Sequence, residues 1–236
     1  MDATDRYLET RFLDANRGVD RSRLRRSLAD TYDGLLPADQ DARILDLGCG
    51  LGYFLDYLEA AGHGNRLGID ISSDCARVSG ERHPVRHVTD VRRFLSDSAG
   101  EWDLVVMRHV IAHLARAETV EFIGLVSTAL KPAGVLLVET FNGALPTALY
   151  TWANDFTHQH VFTEASLRQV LLLGGFDRVE VRPADPALSG WKGGAYAAAR
   201  ALYVRWLKLK FLLERGAGNN PTIFSKFLLA IATKAP

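Results

Sequence analysis

Short continuous apolar runs alternate along this chain with segments of helical period. "RILDLG" (43–48) is apolar and brief, and it runs into glycines; "FLDYLEAAG" (54–62) then repeats apolar residues at helical spacing and closes on Gly62. "NRLGIDI" reads as a second strand, "SDCARVSGERH" as a short helix, "VRHVTDV" as a third strand and "WDLVVMRHV" as a fourth. "AETVEFIGLVSTAL" is a helix ended by Lys131-Pro132-Ala133-Gly134, and "GVLLVETFN" is a fifth strand. "FDRVEVRP" and "FLLAIATK" add two late strands, with a helix-rich insertion between them at roughly 192–215. Ahead of the first strand, Tyr7, Leu8, Phe12, Leu13, Leu24, Leu28, Tyr32, Leu35 and Leu36 predict one or two helices within 5–36. Continuous apolar strands alternating with helices predict a doubly wound α/β fold. Its mainly parallel sheet is covered on both faces and takes its ligand at the carboxyl ends of the strands.

Composition adds bounds. With 236 residues, 47% of them hydrophobic, the chain can bury the core of one domain, with or without an appendage. Lys and Arg number 28 and so do Asp and Glu, so bulk charge does not point to nucleic acid. The charge is uneven, however. From Trp191 to Pro236 there are eight Lys/Arg and one acid, Glu214, and a second basic cluster holds Arg17, Arg21, Arg23, Arg25 and Arg26. The C-terminal excess reads either as a solvated helix face or as a surface for an anionic ligand or membrane. Two cysteines, Cys49 and Cys75, suggest neither a disulfide framework nor a zinc knuckle and fit a reducing cytoplasm. "MDATDRYLETR" has no apolar core of a signal peptide, and "FLLAIA" is too short to span a bilayer.

The turn after the first strand is Gly48-Cys49-Gly50-Leu51-Gly52, with Asp46 on the strand ahead of it. Glycines let a ligand approach the backbone, and the next helix offers it unpaired N–H groups. A nicotinamide dehydrogenase would carry G-x-G-x-x-G instead. Asp70 ends the second strand and Asp90 lies near the end of the third. A carboxylate at the first can take both hydroxyls of a ribose, and one at the second can meet an adenine. Singly, each has a plain alternative: a structural turn, or a helix cap at Asp70.

At these residues the chain resembles class I S-adenosylmethionine-dependent methyltransferases. "LDLGCGLG", "LGIDIS", "TDV", "WDLVVMRHVIAHL" and "LKPAGVLLVETFN" occur in that family's order over about residues 40–142. The resemblance implies S-adenosyl-L-methionine as cofactor. It places the amino-acid part at Gly48, Gly50 and Gly52, and the methionyl amino group at Asp46. It assigns the ribose to Asp70 and the adenine to Asp90 with Val91, and brings Ile71 and Arg108 to the same site. It further implies a Rossmann-like, mainly parallel seven-stranded sheet with an antiparallel last strand, N-terminal helices and a helical insertion before that strand. One methyltransferase domain then spans 1–236: a helical cap (1–40), a cofactor-binding core (41–142), and a substrate-side lid with the insertion and last strands (143–236).

The stretch "ETFNGALPTALYTWANDFTHQHVFTEASLRQVLLLGGF" and the C-terminal run resemble a bacterial methyltransferase group associated with polysaccharide, O-antigen or glycoside biosynthesis. The chain departs from that group's pattern at Phe141, where proline is frequent. The implied activity is methyl transfer to a hydroxyl of a sugar or glycoconjugate in the cytoplasm. Alternatives are methylation of a small secondary metabolite or quinone precursor, or donor binding without turnover. A nucleic-acid substrate is disfavoured by the neutral charge and by the lack of an Asn-Pro-Pro-aromatic motif.

Transfer to a hydroxyl gains from a general base. The candidates are His158 first and His113 second, with Asp155 placed to orient an imidazole; each histidine also has a plain reading, as a loop pin or a helix-start residue. His109, Asn142, Tyr150, Asp155 and His160 are assigned to the acceptor. His109 and His113 stand four apart, on one face of any helix starting there, and share metal-ligand spacing. Ala112 sits where a related metal-dependent enzyme would help with glutamate, so no metal is expected. Tyr150, Trp152 and Phe156 read as lid or core, or as stacking surface, and Thr163 as a helix N-cap. On a helix wheel Arg200, Arg205, Lys208 and Arg215 fall within about 140°, a face for phosphates or an anionic leaflet, and Tyr203, Trp206 and Leu213 are expected to be buried.

Overall fold

A computed structural model describes residues 16, 18–185 and 190–236, with the backbone alone at 190–193. The expected positions Tyr7, Leu8, Phe12, Leu13 and Arg17 lie outside the described residues.

Seven strands form one sheet: β1 (Ile44–Leu47), β2 (Arg66–Asp70), β3 (Val85–His87), β4 (Trp102–Arg108), β5 (Leu130–Phe141), β6 (Arg178–Ala184) and β7 (Phe227–Thr233). Their order is β3-β2-β1-β4-β5-β7-β6. Pairs from β3 through β5 are parallel, and β7 runs antiparallel to both β5 and β6. The chain winds outward from β1 to β3 and then returns to β4, so a crevice opens at the carboxyl ends of β1 and β4.

Residues along each strand alternate between two cores. Leu45, Leu47, Val105, Met107 and Leu136 pack on one face with Ile123 and Val126 of α5 (Arg116–Ala129). Ile44, Leu104, Val106 and Leu137 pack on the other with Leu28 and Tyr32 of α1 (Arg21–Tyr32) and Phe54, Leu55 and Leu58 of α2 (Tyr53–Ala60). The same alternation carries Asp46, Arg108 and Glu139 onto the α1–α2 face, at the strand ends where the crevice lies.

Several helix starts carry side-chain caps. Asp20 caps α1, Ser72 caps α3 (Ser73–Gly80), and Thr163 caps α7 (Glu164–Leu173) in a reciprocal box with Ser166. The third strand is shorter than its sequence suggests. Asp90 accepts the backbone N–H of Arg93 and starts α4 (Val91–Asp97), so the chain leaves the sheet after His87. A short α6 (Ala148–Ala153) forms after β5.

The insertion is one helix, α8 (Gly190–Arg215). Its seating differs from expectation. Leu207 is 1% exposed, but Tyr203, Trp206 and Leu213 are 41%, 54% and 76% exposed rather than buried. Half-buried Arg200, Val204 and Phe211 continue the Leu207 stripe at helical spacing. Arg200 does not join the outward basic face: its guanidinium donates to the carbonyl of Phe224 at 2.7 Å and pairs with Asp185 at 2.9 Å. Among the described residues no helix is long and apolar enough to cross a membrane.

Candidate functional site

The loop after β1 is shaped by backbone that only glycine adopts easily. Gly48 has φ 76°, and a Cβ there would stand 2.3 Å from Cγ2 of Val110. Gly48 and Cys49 donate to the Ile69 carbonyl at 2.8 and 3.0 Å, which ties the loop to the end of β2. Asp70 completes the tie by accepting the N–H of Gly50 through Oδ2 and that of Ser72 through Oδ1, each at 2.8 Å. The helix cap is therefore Ser72, and Asp70 braces the glycine loop. Burial pushes the Asp70 carboxyl upward, against the pull of those two N–H groups.

Asp46 lies beside this loop, 2% exposed, and its Oδ2 has no hydrogen-bond partner. Burial pushes its carboxyl up to about 7; Arg108 opposes this and Asp70 adds to it. A buried carboxylate oxygen without a donor, next to a glycine loop, fits the ammonium of a methionyl group. Ile71 stands 46% exposed at the lip beyond β2, with Val91 half-buried and Asp90 exposed at the start of α4. These are the groups assigned to the nucleoside.

The Asp46 environment gives a signed prediction. A raised carboxyl carries a folded-state penalty that sets in as pH rises above the ordinary carboxylate range and is complete above about 7. A bound ammonium stabilises the charged form, so affinity for S-adenosylmethionine should be greatest just above pH 7, where Asp46 is already ionised. It should fall about tenfold per unit below that. Calorimetric titration across pH 5.5 to 8.5 reads this directly, and Asp46→Asn should both weaken binding and flatten the profile.

Behind Asp46 lies a buried charge network that the sequence reading did not single out. Arg108 and Glu139 are register partners on β4 and β5 and pair at 2.9 Å. Tyr32 Oη donates to the other Glu139 oxygen at 2.8 Å, and His109 Nε2 lies 2.9 Å from Oε1. Burial alone would raise the Glu139 carboxyl, but the Arg108 charge, with His109 and Tyr32, holds it well below the carboxylate range. Arg108, assigned from sequence to the cofactor, is thus committed to Glu139 and acts on Asp46 through its charge.

His109 and His113 do not share a helical face. His109 takes φ 61° and donates its N–H to the Glu139 carbonyl, and only a 3-10 turn, Ile111–His113, follows. The His109 ring stacks on Phe141 with centroids 4.8 Å apart and meets the edge of Phe227 at 4.8 Å. Among the described residues no group of three His, Cys, Asp or Glu side chains is placed to hold a metal ion.

His113 and His158 do come together, with ring centroids 4.8 Å apart, and Phe141 meets His158 at 5.1 Å. Asp155 reaches this pair differently from expectation. The Thr157 hydroxyl donates to Asp155 Oδ1 at 2.6 Å, so the 2.9 Å contact between Thr157 Oγ1 and His113 Nδ1 takes its proton from the imidazole. His158 Nδ1 faces the Thr151 carbonyl at 3.1 Å and must donate to it. In its neutral form each ring then carries its lone pair on Nε2. Burial and then the neighbouring His158 lower His113 to about 4 against the pull of Asp155, so His113 is neutral and weakly basic.

The acceptor side needs two corrections. Asn142, assigned to substrate, is 2% exposed and fully engaged. It donates to the carbonyls of Ile223 and Ser225, each at 2.9 Å, and accepts the N–H of Ala144 at 2.9 Å. It clamps the loop after β5 to the segment before β7. Tyr150 is 71% exposed on the outer side of α6, and Phe156 is 98% exposed. Leu149 and Trp152 of the same helix instead line an open cavity of about 520 Å³ with Gly143, Pro146 and His160. The His160 ring packs on Phe162 at 4.5 Å, and burial lowers its pKa.

A twice-reversed seven-stranded sheet, a glycine loop and a buried unpaired acid beneath it define a Rossmann-like site for a nucleoside-linked amino acid. The family model described as "Methyltransferase domain" matches residues 21–181, and the chain belongs to that family. It is an S-adenosylmethionine-dependent methyltransferase of class I. An S-adenosylmethionine-dependent methyltransferase of Archaeoglobus fulgidus is 21% identical, with TM-score 0.69 over 94% of this chain and 98% of that one. Another from Mesorhizobium loti is 19% identical, with TM-score 0.60 over 88% and 98%. Phosphoethanolamine N-methyltransferase 2 of Haemonchus contortus, solved with S-adenosyl-L-methionine, is 17% identical with TM-score 0.62; the match covers 100% of this chain and 61% of that one. No curated protein matches the sequence.

Proposed function

We propose that this methyltransferase acts on a hydroxyl of a sugar or glycoconjugate. The observation that carries the reading is the His113–His158 pair, with the His158 Nδ1–H fixed on the Thr151 carbonyl and Nε2 left as acceptor. In methyl transfer the donor supplies the activated carbon, while the protein aligns the acceptor and takes its proton. A hydroxyl needs that proton removed as it attacks, whereas a neutral amine does not. His158 is the base in this reading, and neutral His113 packs beside it. The Trp152-lined cavity supports a sugar: an indole face covers the C–H face of a pyranose, with backbone and His160 for its hydroxyls.

Methyl-labelled S-adenosylmethionine offered with nucleotide sugars, free glycosides, catechols and primary amines separates the readings. Label on a sugar hydroxyl supports the proposal. Label confined to phenols or amines replaces it with a small-metabolite methyltransferase.

A further inference from the structure

We propose that the outward face of α8 docks this enzyme on the surface of an anionic lipid bilayer. The helix has two apolar stripes. Val204, Leu207 and Phe211, with the Arg200 stem, form the inner one, held by the Phe211–Phe224 ring contact at 5.8 Å and the Arg200 bonds to Phe224 and Asp185. Leu202, Trp206, Leu209 and Leu213 form the outer one, at spacings of four, three and four. At 100° per residue the second stripe lies opposite the first. It is 67%, 54%, 51% and 76% exposed. A helix that seats one face on its own domain keeps the opposite face polar when only water meets it; here that face carries leucines and an indole.

The flanks name the occupant. Arg205 borders the outer stripe on one side, with Lys208 and Arg215 farther round toward the domain, and Lys210 borders it on the other with its ammonium 5.9 Å from the Trp206 ring. Glu214, which pairs with Lys210 at 3.7 Å, is the one acid against eight Lys/Arg from 191 to 236. On α8 itself the exposed Arg205, Lys208, Lys210 and Arg215 stand against Glu214 alone, in a chain that is neutral overall. Leucines under the headgroups, an indole at their level and long basic stems reaching back to phosphates are how a helix lies in a membrane interface. A second copy fits less well, because a two-fold pairing of α8 on α8 would set the same basic flanks against each other. The helix lies on the bilayer, not through it. The proposal does not depend on which acceptor the site takes.

The test is co-sedimentation of the full chain with vesicles of phosphatidylcholine alone and of phosphatidylcholine mixed with phosphatidylglycerol. Binding at least about tenfold tighter to the anionic vesicles is expected, and weaker as salt rises. Leu202→Ser/Trp206→Ser/Leu213→Ser should abolish it with S-adenosylmethionine affinity unchanged. Arg205→Glu/Lys208→Glu, at exposed positions that leave the fold undisturbed, should lower it at least tenfold. Two results overturn the proposal: no preference for anionic vesicles, or a wild-type dimer in sedimentation equilibrium that the triple substitution dissociates while vesicles bind neither form.

Discussion

Replacing His158 with alanine should lower kcat by about 10²–10⁴-fold and leave S-adenosylmethionine affinity within a few-fold. The geometry sets both halves of that expectation. The imidazole packs against Phe141 and His113, while the donor loop is braced by Asp70 and Ile69. A base must be neutral to accept, so the step needs the imidazole in its unprotonated form. His113→Asn should do less. His113 is already held neutral near 4, and its replacement removes a neighbour rather than the acceptor. Single-turnover measurement at saturating donor and acceptor isolates the step. If the His158→Ala rate matches wild type, the base is elsewhere.

Glu139→Ala should destabilise the fold by about 3–5 kcal/mol in urea unfolding, because it strands the Arg108 guanidinium in the core. Glu139 is 4% exposed and neutralises Arg108 while accepting from Tyr32 and facing His109. Its carboxyl is depressed, so its contribution is full above the unfolded-state value and fades only as pH falls through the folded one, below the ordinary carboxylate range. Near neutrality the penalty of the variant should therefore not vary with pH. Tyr32→Phe removes one hydrogen bond to the charge and should cost about 1.5–3 kcal/mol. Glu139→Ala combined with Arg108→Met should recover much of the loss, since no buried charge is then left unpaired.

The strands and the donor loop were legible because their signals are local. Seven apolar runs, a glycine-rich turn and acids at strand ends each declare themselves within a few residues. Strand parity could also have shown that Asp46, Arg108 and Glu139 leave one face of three adjacent strands. The partners of that network could not be read, since Tyr32 is 107 positions from Glu139. Asn142 looked like a ligand because its clamps at Ile223 and Ser225 come more than eighty residues later. His109 broke the expected helical pair through a left-handed backbone angle, which histidine adopts more often than most residues but which its sequence does not announce. The α8 sequence contains two apolar stripes, and nothing in its period says which one the domain covers.

The place of β7 bears on how the molecule is made. It is the last strand in the chain, yet it fills the gap between β5 and β6, pairing seven residues with each. On the ribosome both neighbours must wait with bare backbone edges until synthesis has passed residue 233. Closure of this half of the sheet therefore waits for β7, and the nascent chain is most open to misassociation in that interval.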